Sequence, residues 1–271
     1  VQAVKYNRSF YFGVILLLFF GVMAVLAPVL APYNPFALGV PYLKPSAEHL
    51  LGTNDVGQDI FSELIYGARV SLTIGIVSSL VITVAGTGIG LASACFGGRC
   101  DRILMKITSV AMAIPSLPVA IVLAAYLDAS IWNLVIAICI TAWPSTARIV
   151  RAKALELMEL PYIKIEKTMG VGSLRIILKH MLPNLSDIVL TRSVLAISGA
   201  MLTEASLSFL GLGVLGQKSW GGILYYAYFR NGIINNYYWW YLPPMICISL
   251  SVLGFMLVAN RRKRRLEVKG C

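Results

Sequence analysis

The chain has 271 residues, of which 58% are hydrophobic and only 13% are charged, and its mean hydropathy is +0.78. Soluble globular chains carry about 25% charged residues. This shortage of charge excludes ordinary soluble domains and indicates that lipid is the main solvent. The formal net charge of +11 invites a nucleic-acid-binding function, which the placement of the basic residues argues against.

Long uncharged segments recur along the chain, and each can supply the roughly 20 apolar residues that cross a bilayer as a helix. Between Arg8 and Lys44, for example, there is no charge at all. The sequence therefore predicts an all-α, polytopic membrane protein with an even number of spans. Six transmembrane helices are expected at about residues 10–31, 71–96, 105–127, 130–148, 188–210 and 240–260.

The basic residues are distributed unevenly between the two predicted sides of the membrane. Most lie in the tails or around the connections after the second and fourth predicted helices. The exceptions are Lys44, Arg69, Lys218 and Arg230. Since connections rich in Lys and Arg stay in the cytoplasm, both termini are predicted to be cytoplasmic. The basic run 261–265 is explained as an anchor facing anionic lipid of the bilayer, so no nucleic acid partner is expected.

These helices and charges predict the following boundaries. The first apolar segment is long and no small-residue cleavage site follows it, so it is predicted to be a retained span and not a signal peptide. The aromatic run 237–240 is predicted to be part of an interfacial belt. The predicted regions are a cytoplasmic tail (1–9), a transmembrane domain (10–260) with external connections at 32–69 and 211–239 and a cytoplasmic connection at 149–187, and a basic cytoplasmic tail (261–271).

Motifs for catalysis or nucleotide binding are not supported by their context. Residues 211–216 spell G-x-G-x-x-G, but that motif needs a preceding strand and a following helix. This stretch follows a predicted membrane helix on the external side. The five cysteines form no C-x-x-C pair, and the sequence has no Walker motif, catalytic set or metal-ligand spacing. The chain is therefore predicted not to be an enzyme and to bind no cofactor or metal itself.

The cytoplasmic connection carries the most information about function. Residues 151–169 are rich in helix formers, and the glycines at 170 and 172 break that run. Ser173 is expected to cap a second helix at 174–182, and Pro183 to end it. A basic, amphipathic helix pair with too little apolar surface to form a domain is suited to lie in a groove of a cytoplasmic partner.

The spacing in this connection resembles the EAA loop of binding-protein-dependent ABC importer permeases. That motif reads EAA, three residues, Gly, nine residues and I-x-L-P; here Gly170 is followed by nine residues and then by H-M-L-P, an ending similar to the peptide-importer branch. Lys164-Ile165-Glu166 departs from the usual acid-Ala-Ala. The resemblance implies a coupling helix at about 164–170. The residues implied to couple the chain to an ATPase are Lys164, Ile165, Glu166, Gly170, His180, Leu182 and Pro183.

Other segments are similar to the dipeptide, oligopeptide and nickel permease group. They are residues 49–59, 66–72, 113–117 and 204–213. The resemblance implies a type I ABC importer permease in the bacterial inner membrane, paired with a second homologous permease. It further implies two ATPase subunits that bind ATP and Mg, and an extracytoplasmic binding protein that delivers the substrate.

Three residues within the predicted spans are candidates for the translocation pathway. Glu204 is an acid well inside an apolar run, and such acids tend to face a pathway or a partner. The alternative is a carboxylate at the outer interface, hydrogen-bonded to a neighbouring helix, and both readings stay open. Ser208 lies in the same motif. Pro115 interrupts the third span, where it shapes a pathway or forms a packing kink. Arg192 is expected to snorkel to the inner interface.

Small peptides are the expected substrate, because the motifs are those of the peptide group and selectivity would rest with the binding protein. Nickel or a metal chelate is the alternative, since those permeases share the same motifs. A stand-alone secondary transporter is a different class; it would show inverted repeats or several intramembrane charges, and neither stands out. A membrane-embedded enzyme is disfavoured by the missing catalytic set.

Overall fold

The computed structural model describes residues 8–260 of the protein. Within this range the chain forms helices and no strand, as predicted. Five helices are long and apolar enough to cross a membrane, and a bent pair of shorter helices makes up to six. The helices are α1 (Arg8–Val25), α2 (Ala27–Leu30), α3 (Ile60–Phe96), α4 (Gly98–Ala113), α5 (Ser116–Tyr126), α6 (Ile131–Met158), α7 (Pro161–Thr168), α8 (Ser173–Ile176), α9 (Leu182–Leu207), α10 (Trp220–Phe229) and α11 (Tyr238–Ala259), with π-helical turns at Ile177–Met181 and Ser208–Leu212.

Each predicted span has a helical counterpart, but several boundaries differ. Helix α3 begins well before residue 71, because the Asp59 side chain accepts a hydrogen bond from the Ser62 amide at 2.8 Å and caps the helix there. The last part of the predicted connection 32–69 is therefore helical. Helix α6 likewise continues to Met158, into the predicted connection 149–187. The basic tail 261–271 and residues 1–7 of the N-terminal tail lie outside the described residues.

The third span is broken sharply at Pro115. Helices α4 and α5 meet there at 84°. Proline disfavours the helical conformation in the residue before it, and Ile114 accordingly has an extended backbone, with ψ of 129°. The interruption predicted from the sequence is confirmed, and it is a change of direction and not a mild kink.

The chain passes several times between two ends of a helix bundle, and α3 runs through the core from one end to the other. One end, called here the α10 end, has a cluster that includes Leu64, Trp220 and Trp240. The opposite end, the α7 end, has a cluster that includes Ile163 and Leu185. Between them lies a central cluster. Its buried residues include Ile74, Ile82, Leu134, Ile138, Ala200 and Leu207.

Glycines bring two helix pairs into close contact. A Cβ atom at Gly86 would lie 2.7 Å from the Cβ of Thr146, so α3 and α6 pack nearly backbone to backbone. A Cβ atom at Gly13 would lie 2.9 Å from the carbonyl oxygen of Gly254, which fixes α1 against α11. Since Phe20 of α1 and Trp240 of α11 belong to the α10 end, the two ends of the described chain both lie toward the α7 end.

The aromatic run 237–240 does not form the exposed belt that the sequence suggested. The rings of Trp239 and Trp240 are 7% and 1% exposed, and the Tyr237 ring packs 4.7 Å from that of Tyr42. Only Tyr238 is largely exposed. The connection before α3 folds back over these rings, which is a tertiary contact that hydropathy cannot reveal.

Candidate functional site

Helix α7 is a short helix at the α7 end of the bundle, and one side chain anchors it. Pro161 occupies its first turn, where the missing amide hydrogen costs nothing. Ile163 is fully buried among residues from the ends of α3, α6 and α9. A helix therefore lies where the coupling helix was predicted, although it begins before residue 164, at Pro161, and ends at Thr168. Its coupling role stays a prediction.

Polar contacts hold α7 against the start of the fifth span. Nε2 of His180 lies 2.9 Å from Oε1 of Glu166, at ion-pair distance but without the alignment of a hydrogen bond. The Asn184 side-chain amide donates to the Tyr162 hydroxyl at 3.4 Å and to the His180 carbonyl at 2.7 Å. The predicted residues Glu166 and His180, which are 14 positions apart, are thus brought together.

Lys164 reaches back to the residue that precedes α7. Its ammonium lies 2.7 Å from Oε2 of Glu159, and this contact holds the pKa of the Glu159 carboxyl below its usual range. Both side chains are mostly exposed, so the pair contributes little to stability. Lys164 is consequently free to exchange this partner for another one.

Gly170 ends α7 in a conformation that favours glycine. Its φ is +79°, and no atom lies within 4 Å of where a Cβ would be. Glycine is favoured here because the backbone conformation is left-handed, and not because a larger side chain would clash with a neighbour. The amide of Val171 donates to the carbonyl of Glu166 at 3.1 Å, which closes the last turn of the helix.

Two predictions for the following segment are wrong. Ser173 is not a cap, because Gly172 occupies the capping position and no side chain bonds there. Pro183 does not end a helix: α8, a π-helical turn and α9 run on without a break, and Pro183 lies in the first turn of α9. Proline is tolerated at that position because the first amide groups of a helix have no partner inside it. Leu182, beside it, is exposed.

The surface of α7 and α8 that faces away from the bundle is apolar as well as basic. Four large apolar side chains are more than half exposed there. They are Ile165, Met169, Leu174 and Leu178. Exposed apolar side chains that cluster beside lysines on a membrane protein's polar end form a surface suited to bind another protein.

Glu204 lies at the other end of the bundle and is buried within the subunit. Its carboxylate accepts hydrogen bonds from Ser71 of α3 at 2.9 Å and from Ser208 at 2.7 Å, and the residue is 1% exposed. Ser71 also receives the amide of Trp220 at 3.4 Å. This is the bonding described above as the alternative to a pathway role. A pathway role for Glu204 and Ser208 stays a prediction, as does one for the exposed Pro115.

Sequence reasoning missed a buried polar cluster near Glu204, called here the Lys218 cluster. The Lys218 ammonium lies 2.6 Å from Oε1 of Glu63 and 2.6 Å from the side-chain oxygen of Gln58. The Asn54 amide donates to both Glu63 and Gln58 at 3.0 Å. The only local signal was an isolated lysine in an aromatic, glycine-rich connection.

Taken together, the helical bundle, the broken span and the exposed helix at one polar end are the features of an integral membrane permease subunit. The comparison with protein families makes this specific. Residues 86–267 match the model of binding-protein-dependent transport system inner membrane components, and residues 2–48 match the N-terminal transmembrane domain of oligopeptide transport permease C. The chain belongs to the family of binding-protein-dependent transport system inner membrane components.

Individual relatives cover nearly the whole chain. A dipeptide transport system permease protein of Bacillus subtilis is 33% identical over 99% of this chain and 84% of its own length. A putative peptide transport system permease protein of Brucella suis is 37% identical over 97% of this chain and 90% of its own length. The inward-facing methionine ABC transporter MetNI supplies a chain with the same fold. It has a TM-score of 0.60 and 18% identity, covering 74% of this chain and 95% of that one.

Proposed function

We propose that the chain forms one half of the translocation pathway of an ATP-driven importer for small peptides. The single observation that carries the proposal is the match over nearly its full length to permeases named for dipeptides and peptides. Neither of these two relatives is named for nickel, so nickel or a metal chelate is not favoured as the substrate. The substrate would be delivered by an extracytoplasmic binding protein.

The other half of the pathway is a second, homologous permease. The surface of this chain that is open in the single subunit would then line or close the pathway in the pair. Helices α4 and α5 belong to that surface, since only one residue of each, Thr108 and Ala120, is buried. A bent helix pair at such a surface supplies a part that can move relative to the core.

The energy would come from two separate ATPase subunits that bind ATP and Mg and dock on the α7 end. The geometry supports this assignment in two ways. Ile163, Glu166 and the Tyr162–Asn184 contact join α7 to α9, so a displacement of α7 would be passed to the span. The apolar side chains of Ile165 and Met169 remain available to a partner.

This docking assigns the α7 end to the cytoplasm of a bacterial inner membrane. The exposed lysines of α7 and the start of α4, with Arg99 and Arg102, agree with the preference of basic residues for that side. The two ends of the described chain would then be cytoplasmic, and the Lys218 cluster extracytoplasmic.

Reconstitution in liposomes tests the proposal. The chain is purified from its native membrane in mild detergent with its co-purifying proteins, and uptake of a labelled dipeptide is compared with uptake of nickel ions, each with and without ATP. We expect a second permease and ATPase subunits to co-purify, and dipeptide uptake to require ATP and the binding protein. Uptake of nickel but not of peptide, or uptake by the lone chain without ATP, would contradict it.

A further inference from the structure

Arg192 is a cation on α9, in the half of that helix nearer the α7 end. It lies seven residues from Leu185 of the α7-end cluster and twelve from Glu204, which corresponds to about 10 Å and 18 Å along the helix axis. The sequence suggested that the side chain snorkels to the inner interface. Instead it reaches sideways, and its guanidinium donates to the Ser145 hydroxyl of α6 at 3.2 Å.

The charge of Arg192 is left uncompensated by the described residues. Among residues 8–260, no carboxylate lies at ion-pair distance from its guanidinium, and its Nε is buried without a hydrogen-bond acceptor. An arginine placed at membrane depth usually has an anionic partner, because the bilayer interior disfavours a bare charge. The missing partner is therefore expected from outside residues 8–260.

A second arginine lies one helical turn from the same serine. Arg148 follows Ser145 by three positions on α6, so the two share one face of that helix. Its guanidinium donates only to the Ser109 hydroxyl of α4 at 3.3 Å, and no carboxylate of the described chain is at ion-pair distance. The two cations thus follow one another along a single surface formed by α4, α6 and α9.

This surface is open in the single subunit. Arg148 is exposed, and a side chain added at Gly199, which is two turns from Arg192 on α9, would meet no atom within 4 Å. In a permease pair whose pathway lies between the subunits, such an open, polar face points to the pathway and not to lipid, because lipid-facing positions exclude charge.

We infer that Arg192, with Arg148 beside it, forms a transient binding site for the carboxylate of a substrate as it passes through the pathway. This inference rests on the proposed function, because a small peptide at neutral pH carries such a group at its C-terminus. A guanidinium that is already oriented by a serine hydroxyl can form bidentate hydrogen bonds to a carboxylate with little loss of side-chain conformational entropy. The serine partners are weak enough to be exchanged when the substrate leaves.

The test uses the complete importer in liposomes, with its ATPase subunits and a saturating concentration of peptide-loaded binding protein. Uptake per ATP hydrolysed is compared for wild type, Arg192→Gln and Arg192→Lys. The matched control is Arg8→Gln, which removes a charge from an exposed position on α1, outside this surface. A dipeptide and its C-terminal amide are used, the pair being chosen from sequences that the binding protein retains in both forms.

We expect Arg192→Gln to lower uptake of the free-acid dipeptide by at least about tenfold, because the variant loses the charge-assisted hydrogen bonds to the carboxylate. The Lys variant keeps the charge but not the planar guanidinium, so its uptake should lie between those of Arg192→Gln and wild type. Arg8→Gln should behave as wild type. Uptake of the amide should be almost the same in wild type and Arg192→Gln. Equal losses for both peptides, or no loss for either, would overturn the inference.

Co-purification of the two permeases and peptide uptake by the wild type distinguish a failure of this inference from a failure of the proposed function. If the missing carboxylate belongs to the second permease, Arg192→Gln will weaken co-purification of the two permeases, and that result would also overturn the inference. If the wild-type complex takes up no peptide at all, the proposed function fails. If the wild type transports peptide and Arg192→Gln matches it for both substrates, the inference alone fails.

Discussion

The Lys218 ammonium and the Glu63 carboxylate, 155 residues apart in the chain, meet at 2.6 Å in a pocket that leaves their side chains only 14% and 4% exposed. The contact ties the connection before α10 to the first turn of α3. Breaking a buried ion pair by removing one member leaves an uncompensated charge, which typically costs about 3–5 kcal/mol. Removing either member of this pair is therefore expected to destabilise the fold.

Lys218→Met is expected to lower the thermal stability of the purified protein strongly, because Glu63 would remain buried without its cation. Adding Glu63→Gln to that variant should restore part of the loss. Lys44→Met, at an exposed position, is the control and should change the unfolding temperature little. Thermal unfolding in detergent measures all four proteins. Equal stability of Lys218→Met and wild type would show that the pair does not hold these segments together.

Gly170→Val is expected to impair coupling without preventing insertion into the membrane. The backbone at Gly170 has a φ of +79°, which a β-branched residue adopts only at a cost of about 1–2 kcal/mol, so the turn after α7 should rearrange. Gly172→Val is the matched control, because Gly172 has a φ of −62° and equally open surroundings. Peptide uptake per ATP hydrolysed is the measurement. If the two variants were equally active, the turn would not be part of the coupling.

Two isoleucines of α7 should separate anchoring from docking. Ile163 is fully buried, so Ile163→Ala is expected to destabilise the subunit by about 2–5 kcal/mol. Ile165 is 58% exposed, so Ile165→Ala should leave the unfolding temperature unchanged and weaken binding to the ATPase subunits. Thermal unfolding and co-purification of the ATPase subunits measure the two effects. If both variants still bound the ATPase subunits as wild type does, the docking surface would lie elsewhere.

Glu204→Leu is expected to reduce stability, because the hydroxyls of Ser71 and Ser208 would lose their acceptor in a buried site. An unsatisfied buried donor costs about 1–3 kcal/mol. Glu204→Gln keeps one acceptor oxygen and should lose less. Uptake per folded complex is expected to remain near the wild-type value in both variants. A large fall in uptake per folded complex at unchanged stability would instead assign Glu204 to the pathway.

The positions of the spans could be predicted because hydropathy is a local property. A helix in lipid satisfies its own backbone hydrogen bonds, so about 20 apolar residues are enough to define one. The ends of the helices were less predictable. The second span was expected to start at about residue 71, whereas α3 starts at Ile60. Gly67 lies inside it and allows close contact, since a Cβ there would lie 2.9 Å from Cδ1 of Trp220.

In the candidate site, too, some features could be predicted from the sequence and others could not. The resemblance to the EAA loop implied a helix at about 164–170, and the structure has a helix at Pro161–Thr168 followed by Gly170 with positive φ. The continuity of the chain past Pro183 did not follow, because a π-helical turn and the first turn of α9 accommodate a residue that usually ends helices. The pairing of Glu166 with His180 also required the two helices to fold against each other.

The sequence by itself determined that this protein is a helical membrane protein and which segments are apolar enough to cross the bilayer, since the cost of placing polar groups in lipid acts on each segment separately. Only the tertiary structure decided which polar side chains are satisfied and which remain available. Glu63 meets Lys218 and Glu204 meets two serines, whereas Arg192 finds only a hydroxyl. These partners come from distant segments, and their distances depend on how the helices pack and not on any local pattern.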